Sequence, residues 1–208
     1  EMLTTLIDDV LELSKIEANK MPVNKKGVHL GRLMGEILSA YEISCRKKGL
    51  KLILTNNLSH DYCALTDEVR LHQILNNLLS NAVKFTDKGE ITVSMSAPDQ
   101  DSLNFSIQDT GVGMDEQEQS KLFSDFYQTR KKNKTKSGTG LGLAISKRLV
   151  QLLEGEISVK SILGQGTCFS FRIKAPKVRC DEKIISTEKL NKTIKDLKIL
   201  IAEDNPIN

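Results

Sequence analysis

Four stretches of strict alternation limit this chain more than anything else in it. Ile91, Val93 and Met95 recur with period two, as do Leu103, Phe105 and Ile107, then Ile157 and Val159, then Phe169, Phe171 and Ile173. Period two is the geometry of a strand with one buried face. The strands come in hairpin-like pairs, the first across polar residues 98–102 and the second across Gly164-Gln165-Gly166. Helical spacing fills the remainder: residues 31–48 end at Gly49, where a left-handed C-cap belongs, and residues 142–154 end before Gly155. Thr66 or Asp67 caps a third helix to about Lys84, and Asp115 with Glu118 fits a capping box for a short helix to about Phe126. Residues 28–30 read as a short extended piece, and Leu50, Leu52 and Leu54 as a further strand. Mixed helices and paired strands predict an α+β chain, a two-layer α/β sandwich rather than a doubly wound parallel sheet.

The flanks differ from this body. Leu3, Leu6, Val10 and Leu13, widened by Ile7, Leu11 and Ile16, give residues 1–19 an apolar helical stripe. Such a stripe needs a partner, either a second helix in a coiled-coil-like dimer seam or the domain that follows. Pro22 closes that helix inside a polar linker. Residues 177–196 read as a charged linker, and residues 197–202 as a buried strand running into Glu203-Asp204-Asn205. A net charge of +3 and the absence of tryptophan argue against a nucleic-acid partner. The four cysteines (Cys45, Cys63, Cys168, Cys180) are far apart and form no CxxC pair, so they read as reduced, partly buried thiols of an intracellular chain. No apolar run approaches the roughly 20 residues that span a bilayer.

Three polar constellations carry chemistry. Asn77 and Asn81, four apart, share a helix face that Lys84 continues. Amides are poor mid-helix residues, and their neutral oxygens suit Mg²⁺ held with substrate phosphates, although a plain exposed face would also read this way. Asp109-Thr110-Gly111-Val112-Gly113 ends a strand. Its carboxylate can accept from an exocyclic amine and its glycines admit close approach, but a tight turn is the plain alternative. Gly138-Thr139-Gly140-Leu141-Gly142 opens a helix, which is a phosphate site by geometry and dipole. No strand precedes it as a dinucleotide fold requires, and no Lys-Ser/Thr follows as in a Walker A loop. The run Arg130, Lys131, Lys132, Lys134 and Lys136 before it reads as a solvated loop, a nucleic-acid patch or, beside a phosphate turn, a mobile lid over a triphosphate.

Taken in order, these blocks resemble the boxes of histidine protein kinases. Asn77-Leu78-Leu79-Ser80-Asn81-Ala82-Val83-Lys84-Phe85-Thr86 is similar to the N box, Asp109 to Met114 to the first glycine box, Phe123 with Phe126-Tyr127-Gln128 to the F box, and Gly138 to Leu143 to the second glycine box. Gly164-Gln165-Gly166-Thr167 resembles the glycine-rich turn near the domain's end. The resemblance covers about residues 1–175. It implies the Bergerat-type ATP-binding fold, with ATP and Mg²⁺ bound. Asn81 would be the metal ligand, Asn77 would touch metal or phosphate and Lys84 phosphate, while Asp109 would select adenine in a pocket shaped by Gly111 and Gly113. Lys136, Gly138, Gly140, Leu141 and Gly142 would meet the phosphates, Thr167 would stand behind adenine, and Phe123 and Phe126 would pack the lid base.

Topoisomerases, mismatch-repair ATPases and stress chaperones share that fold. They resemble one another in a glutamate four residues before the metal asparagine, a base for water. Here Asn77 stands in that place, which points to transfer rather than hydrolysis. Residues 1–21 resemble the second helix of a kinase dimerisation domain, so residues 22–176 would be the catalytic domain. The acceptor histidine would precede residue 1. His29, His60 and His72 lack its expected setting, so structural or surface roles are expected for them. Residues 197–208 resemble the first strand of a receiver, with Glu203 and Asp204 as its acidic pair and its aspartate beyond residue 208. These likenesses imply a cytoplasmic hybrid kinase module that dimerises through its N-terminal helices. Its phosphoryl group would pass to a receiver in cis and a phosphotransfer or response-regulator protein in trans.

Overall fold

The computed structural model describes residues 2–18, 20–127 and 139–180. The expected lid residues, Lys136, Gly138, and the expected receiver strand with Glu203 and Asp204 lie outside the described residues.

A helix, α1 (Met2–Glu17), precedes β1 (Lys26–His29), α2 (Leu30–Lys48), β2 (Lys51–Asn56), β3 (Cys63–Thr66) and α3 (Glu68–Phe85). Then come β4 (Glu90–Ser96), β5 (Ser102–Asp109), α4 (Glu116–Lys121), α5 (Gly142–Leu152), β6 (Glu156–Ile162), β7 (Gly166–Lys174) and β8 (Lys177–Val178). The main sheet has the order β2-β4-β5-β7-β6, antiparallel except for β2, which runs parallel to β4. A second sheet has the order β1-β3-β8.

Alternation sets one face of the sheet. Ile91, Val93, Met95, Leu103, Phe105, Ile107, Phe169, Phe171 and Ile173 are all buried, and the Phe105 and Phe171 rings stack 4.9 Å apart. Against them lie Leu71, Ile74, Leu75, Leu78 and Leu79 of α3 with Leu149 and Val150 of α5. The helices start and stop where their ends are satisfied. The Asp67 carboxylate accepts from Arg70 N–H at 3.1 Å, Gly49 takes φ +68, and Asp115 and Glu118 close the expected capping box.

Several expectations are corrected. The helix after Asp115 ends at Lys121 rather than near Phe126. β3 carries no alternation signal across its four residues and is held by pairing with β1. The linker expected from residue 177 begins with β8, antiparallel to β3. That pairing also overturns the reading of four reduced thiols. Cys63 and Cys180, 117 residues apart, form a disulfide with a Cα–Cα distance of 5.4 Å, while Cys45 and Cys168 remain free. Sequence distance says nothing about spatial distance once a sheet brings two ends together.

α1 docks on the domain that follows it. Leu13 is buried, and Val10 and Ile16 pack against the core. Glu12 pairs with Arg70 at 3.4 Å and accepts from Gln73 at 2.6 Å, and Glu17 pairs with Arg148 at 2.8 Å. Ile7 and Leu11 stay about half exposed, so a second apolar stripe faces away. Among the described residues no helix is long and apolar enough to cross a membrane.

Phe105 is the largest fully buried side chain. Phe105→Ala should therefore destabilise the domain by about 3–5 kcal/mol, measured as a fall in the urea midpoint at unchanged slope. A loss below about 1 kcal/mol would show that this face is not the core.

Candidate functional site

Asp109 ends β5, where its backbone pairs with Ile91 of β4 and Thr167 of β7. The residue is only 6% exposed. Burial pushes its carboxyl above the ordinary carboxylate range. The Gly111 N–H donates to it, and the nearby Thr167 N–H and Thr86 hydroxyl also pull against that rise, the Thr86 hydroxyl itself donating to Ala82 O at 2.7 Å. The Gly111 bond measures 2.8 Å. The Thr167 hydroxyl turns instead to Ser161, 3.0 Å away, so it is the main chain of Thr167 that reaches Asp109.

The glycines here are steric requirements. A Cβ on Gly111 would strike the carbonyl oxygen of Phe85, at the C-terminus of α3. Gly113, at φ +61, leaves no room before the Ile162 carbonyl, and Gly166, at φ +109, none before that of Asp109. The loop after β5 is thus pressed between the end of α3 and the β6–β7 turn.

A second cluster forms one face of α3. The Asn77 amide nitrogen donates to Ser146 Oγ of α5 at 2.7 Å. A Cβ on Gly142 would lie 2.5 Å from Asn77 Oδ1. Asn77 therefore abuts the N-terminus of α5. The Leu141 side chain gives that end no cap, and while the Leu141 N–H donates to Thr139 Oγ1 at 3.3 Å, the N–H groups of the first turn are of the kind that face an anion. Gly140 takes φ +77 just before it. Leu141 is fully buried, so only its backbone can face a ligand.

Asn81 and Lys84, both half-buried, lie on α3 between the two clusters. The Lys84 ammonium stands 5.2 Å from the Phe85 ring centre. From Asn77 to Phe85, α3 rises roughly 12 Å at 1.5 Å per residue. One helix therefore joins an anion-ready helix end to a buried acceptor, an arrangement suited to a ligand with phosphates at one end and an amine-bearing ring at the other. No metal-holding cluster of His, Cys, Asp or Glu occurs among the described residues.

Phe123 packs edge-on against Phe169 at 6.4 Å and Phe126 is 59% exposed at φ +59, while the lid that they were expected to support lies outside the described residues. Ser146, Thr86 and Thr139 were not singled out in the sequence. Nothing in a single helix or strand shows that Ser146 meets Asn77, or that Thr139 Oγ1 donates to Asp9 of α1 at 2.7 Å. The histidines stand apart from the site. His29 Nδ1 caps α2 by accepting from Arg32 N–H, His60 faces Asp61, and His72 faces Asn76.

The model of the family described as histidine kinase-, DNA gyrase B-, and HSP90-like ATPases matches residues 66–177. The chain belongs to that family. It is 37% identical over its whole length to the autoinducer 2 sensor kinase/phosphatase LuxQ of Vibrio vulnificus. Over 99% of its length it is 33% identical to the aerobic respiration control sensor protein ArcB of Escherichia coli. It spans about a quarter of either relative. Among solved structures it is similar to full-length ShkA in complex with AMPPNP, with TM-score 0.76, 32% identity, and coverage of 85% of this chain and 36% of that one. The catalytic domain of histidine kinase ThkA gives TM-score 0.64 at 27% identity, covering 73% of this chain and 95% of that one. The α+β sandwich and the ATP-binding catalytic class are those of this family.

The Asp109 shift has a sign that can be tested. Its carboxyl is raised in the free protein, and an adenine amine donating to it favours the ionised form, so binding releases a proton as pH falls toward the raised pKa. ADP affinity should weaken on acidification from a pH above the usual carboxylate range. Asp109→Asn should lose most affinity and flatten the profile in a calorimetric titration. Unchanged affinity in that variant would remove Asp109 from the site.

Proposed function

We propose that this chain is the catalytic part of a hybrid histidine kinase. It moves the γ-phosphoryl group of Mg·ATP to a histidine imidazole on a dimerisation helix, from which the group passes to a receiver aspartate. The observation that carries this reading is Asn77. Hydrolases of this fold carry a carboxylate base for water at the corresponding place. Here an amide donates to Ser146 and can take no proton. A site that holds a triphosphate without activating water suits an external nucleophile.

In this reading Asp109 accepts from the adenine amine, and Gly111 and Gly113 let the loop close on the ring. Asn81 offers its amide oxygen to Mg²⁺ and Lys84 neutralises phosphate charge. The N–H groups at Gly140, Leu141 and Gly142 meet the phosphates, with Lys136 and Gly138 contributing from the lid. Magnesium would supply charge neutralisation of the triphosphate. Asn77 acts chiefly by seating α5, so its part is to place the phosphate-binding end rather than to bind metal. Transfer then rests on position and charge, which dominate phosphoryl transfer. The exposed Ile7 and Leu11 suit a helix–helix dimer, and the likeness to LuxQ and ArcB supports a receiver in cis with a phosphotransfer or regulator protein in trans.

The test mixes this chain, labelled ATP and a purified helical-hairpin domain bearing the acceptor histidine. Acid-labile label on that histidine is expected, with little phosphate release in the hairpin's absence. Sustained hydrolysis by the chain alone, or no label while nucleotide is demonstrably bound, would sink the proposal.

A further inference from the structure

The small sheet holds a group that the nucleotide site does not use. β8 is two residues long and its register on β3 is Cys63↔Val178 and Ala64↔Lys177. So short an edge strand is marginal alone. Around it, Pro176 O accepts from Leu65 N–H at 2.8 Å, Lys177 N–H donates to Gln100 O at 2.8 Å, and the Lys177 ammonium stands 5.2 Å from the Tyr62 ring centre. The covalent tie is the disulfide between Cys63 and Cys180, two residues past β8, at a Cα separation ordinary for such a bond.

The two sulfurs differ in access. Cys63 is 2% exposed, whereas Cys180 is only half-buried at the last described residue. Residues 181–208 continue from that point toward the sequence that resembles a receiver's first strand. The bond also lies far from Asp109. Thr167 pairs with Asp109 at one end of β7, and Lys174, which leads into β8, pairs with Ser102 at the other, roughly 23 Å away at 3.3 Å per residue.

We propose that Cys63 and Cys180 form a redox-active modification site, with small dithiols and disulfides as its substrates, that fastens and releases β8, the last described strand. A thiolate of a dithiol attacks the half-buried Cys180 sulfur. The protein S–S bond breaks, and Cys63 departs as a thiolate that takes up the proton the attacker gave up. The reductant's second thiol then displaces Cys180, which leaves as a thiol. Two electrons and two protons pass to the protein, and the reductant becomes a cyclic disulfide. A disulfide oxidant reverses both steps. On the kinase reading proposed above the module is intracellular, where disulfides are characteristically transient or sensing, which suits a bond beside a two-residue edge strand better than one in a core. Reduction frees β8 and residue 180 and leaves the nucleotide pocket intact.

The test uses the whole chain. Isolated without reductant and unfolded in a maleimide, it should label at Cys45 and Cys168 only and yield a linked Cys63–Cys180 peptide. After dithiothreitol all four cysteines should label. Amide exchange at residues 177–180 should be about tenfold or more faster in the reduced chain and in Cys180→Ser than in the oxidised chain. Residues 68–85 and 102–109 should be unaffected, and Mg·ADP affinity should stay within about twofold. Labelling of all four cysteines after equilibration with glutathione disulfide would overturn the proposal. So would equal exchange in the two redox states, or a collapse of nucleotide affinity on reduction, which would make the bond a staple of the whole fold. The labelling and exchange need no nucleotide, so their failure is separate from failure of the kinase reading.

Discussion

A carboxylate withdrawn from water must be hydrogen-bonded, and the burial of Asp109 makes that demand on three parts of the chain at once. The Gly111 N–H of the loop after β5 donates to it at 2.8 Å, and the Thr167 N–H of β7 and Thr86 at the end of α3, whose hydroxyl donates to Ala82 O, stand beside it. An unpaired ionised carboxylate in such a place would cost several kcal/mol. The three elements therefore converge on a single group. The glycine contacts follow from the same closeness, since Gly111, Gly113 and Gly166 each face a backbone carbonyl with no space for a Cβ. Strand ladder, helix terminus and turn meet at one acceptor.

α3 then carries the site's other end. Its buried face is Leu71, Ile74, Leu75, Leu78 and Leu79, and its polar face is Asn77, Asn81 and Lys84. The first face anchors the helix on the sheet, and Asn77 on the second meets α5. Asn77 and Gly142 are complementary: a side chain at 142 would occupy the volume that Asn77 fills. The helix-unfriendly amide thus has a packing reason as well as a chemical one.

How much of this was legible depends on the range of the interaction. The alternating strands, the Gly49 and Asp67 caps and the Asp115–Glu118 box are local, and each stands where its residues indicated. The glycine boxes were legible as motifs, but the reason for Gly111 lies in the Phe85 carbonyl, far along the chain. β3 was missed because its four residues carry no period. The Cys63–Cys180 pair was missed because only the β3–β8 register brings the two together. Leu141 entered as a binding residue for its motif, and its side chain proves to be core. Ser146 carries no signal at all, because a serine on a helix names no partner.

The docking of α1 is strong in number of contacts and weak in energy. Its ion pairs, Glu12 with Arg70 and Glu17 with Arg148, are at least a fifth exposed on one side or the other, and such pairs contribute about 0.2–1 kcal/mol each. Leu13 is its one described side chain in the buried core, worth about 1.5–3 kcal/mol. A helix held by a few kcal/mol can leave at a cost that ligand binding is able to offset. Its grip falls where that matters, since Asp9 accepts from Thr139 in the turn that leads into α5, and Arg148 of α5 joins Glu17 of α1 to Asp125 beyond α4. Under phosphoryl transfer to a separate helix, the catalytic domain must change neighbours. On the reading of α5 as the phosphate-binding helix proposed above, a contact of this size placed on it would tie that change of neighbours to the state of the nucleotide site.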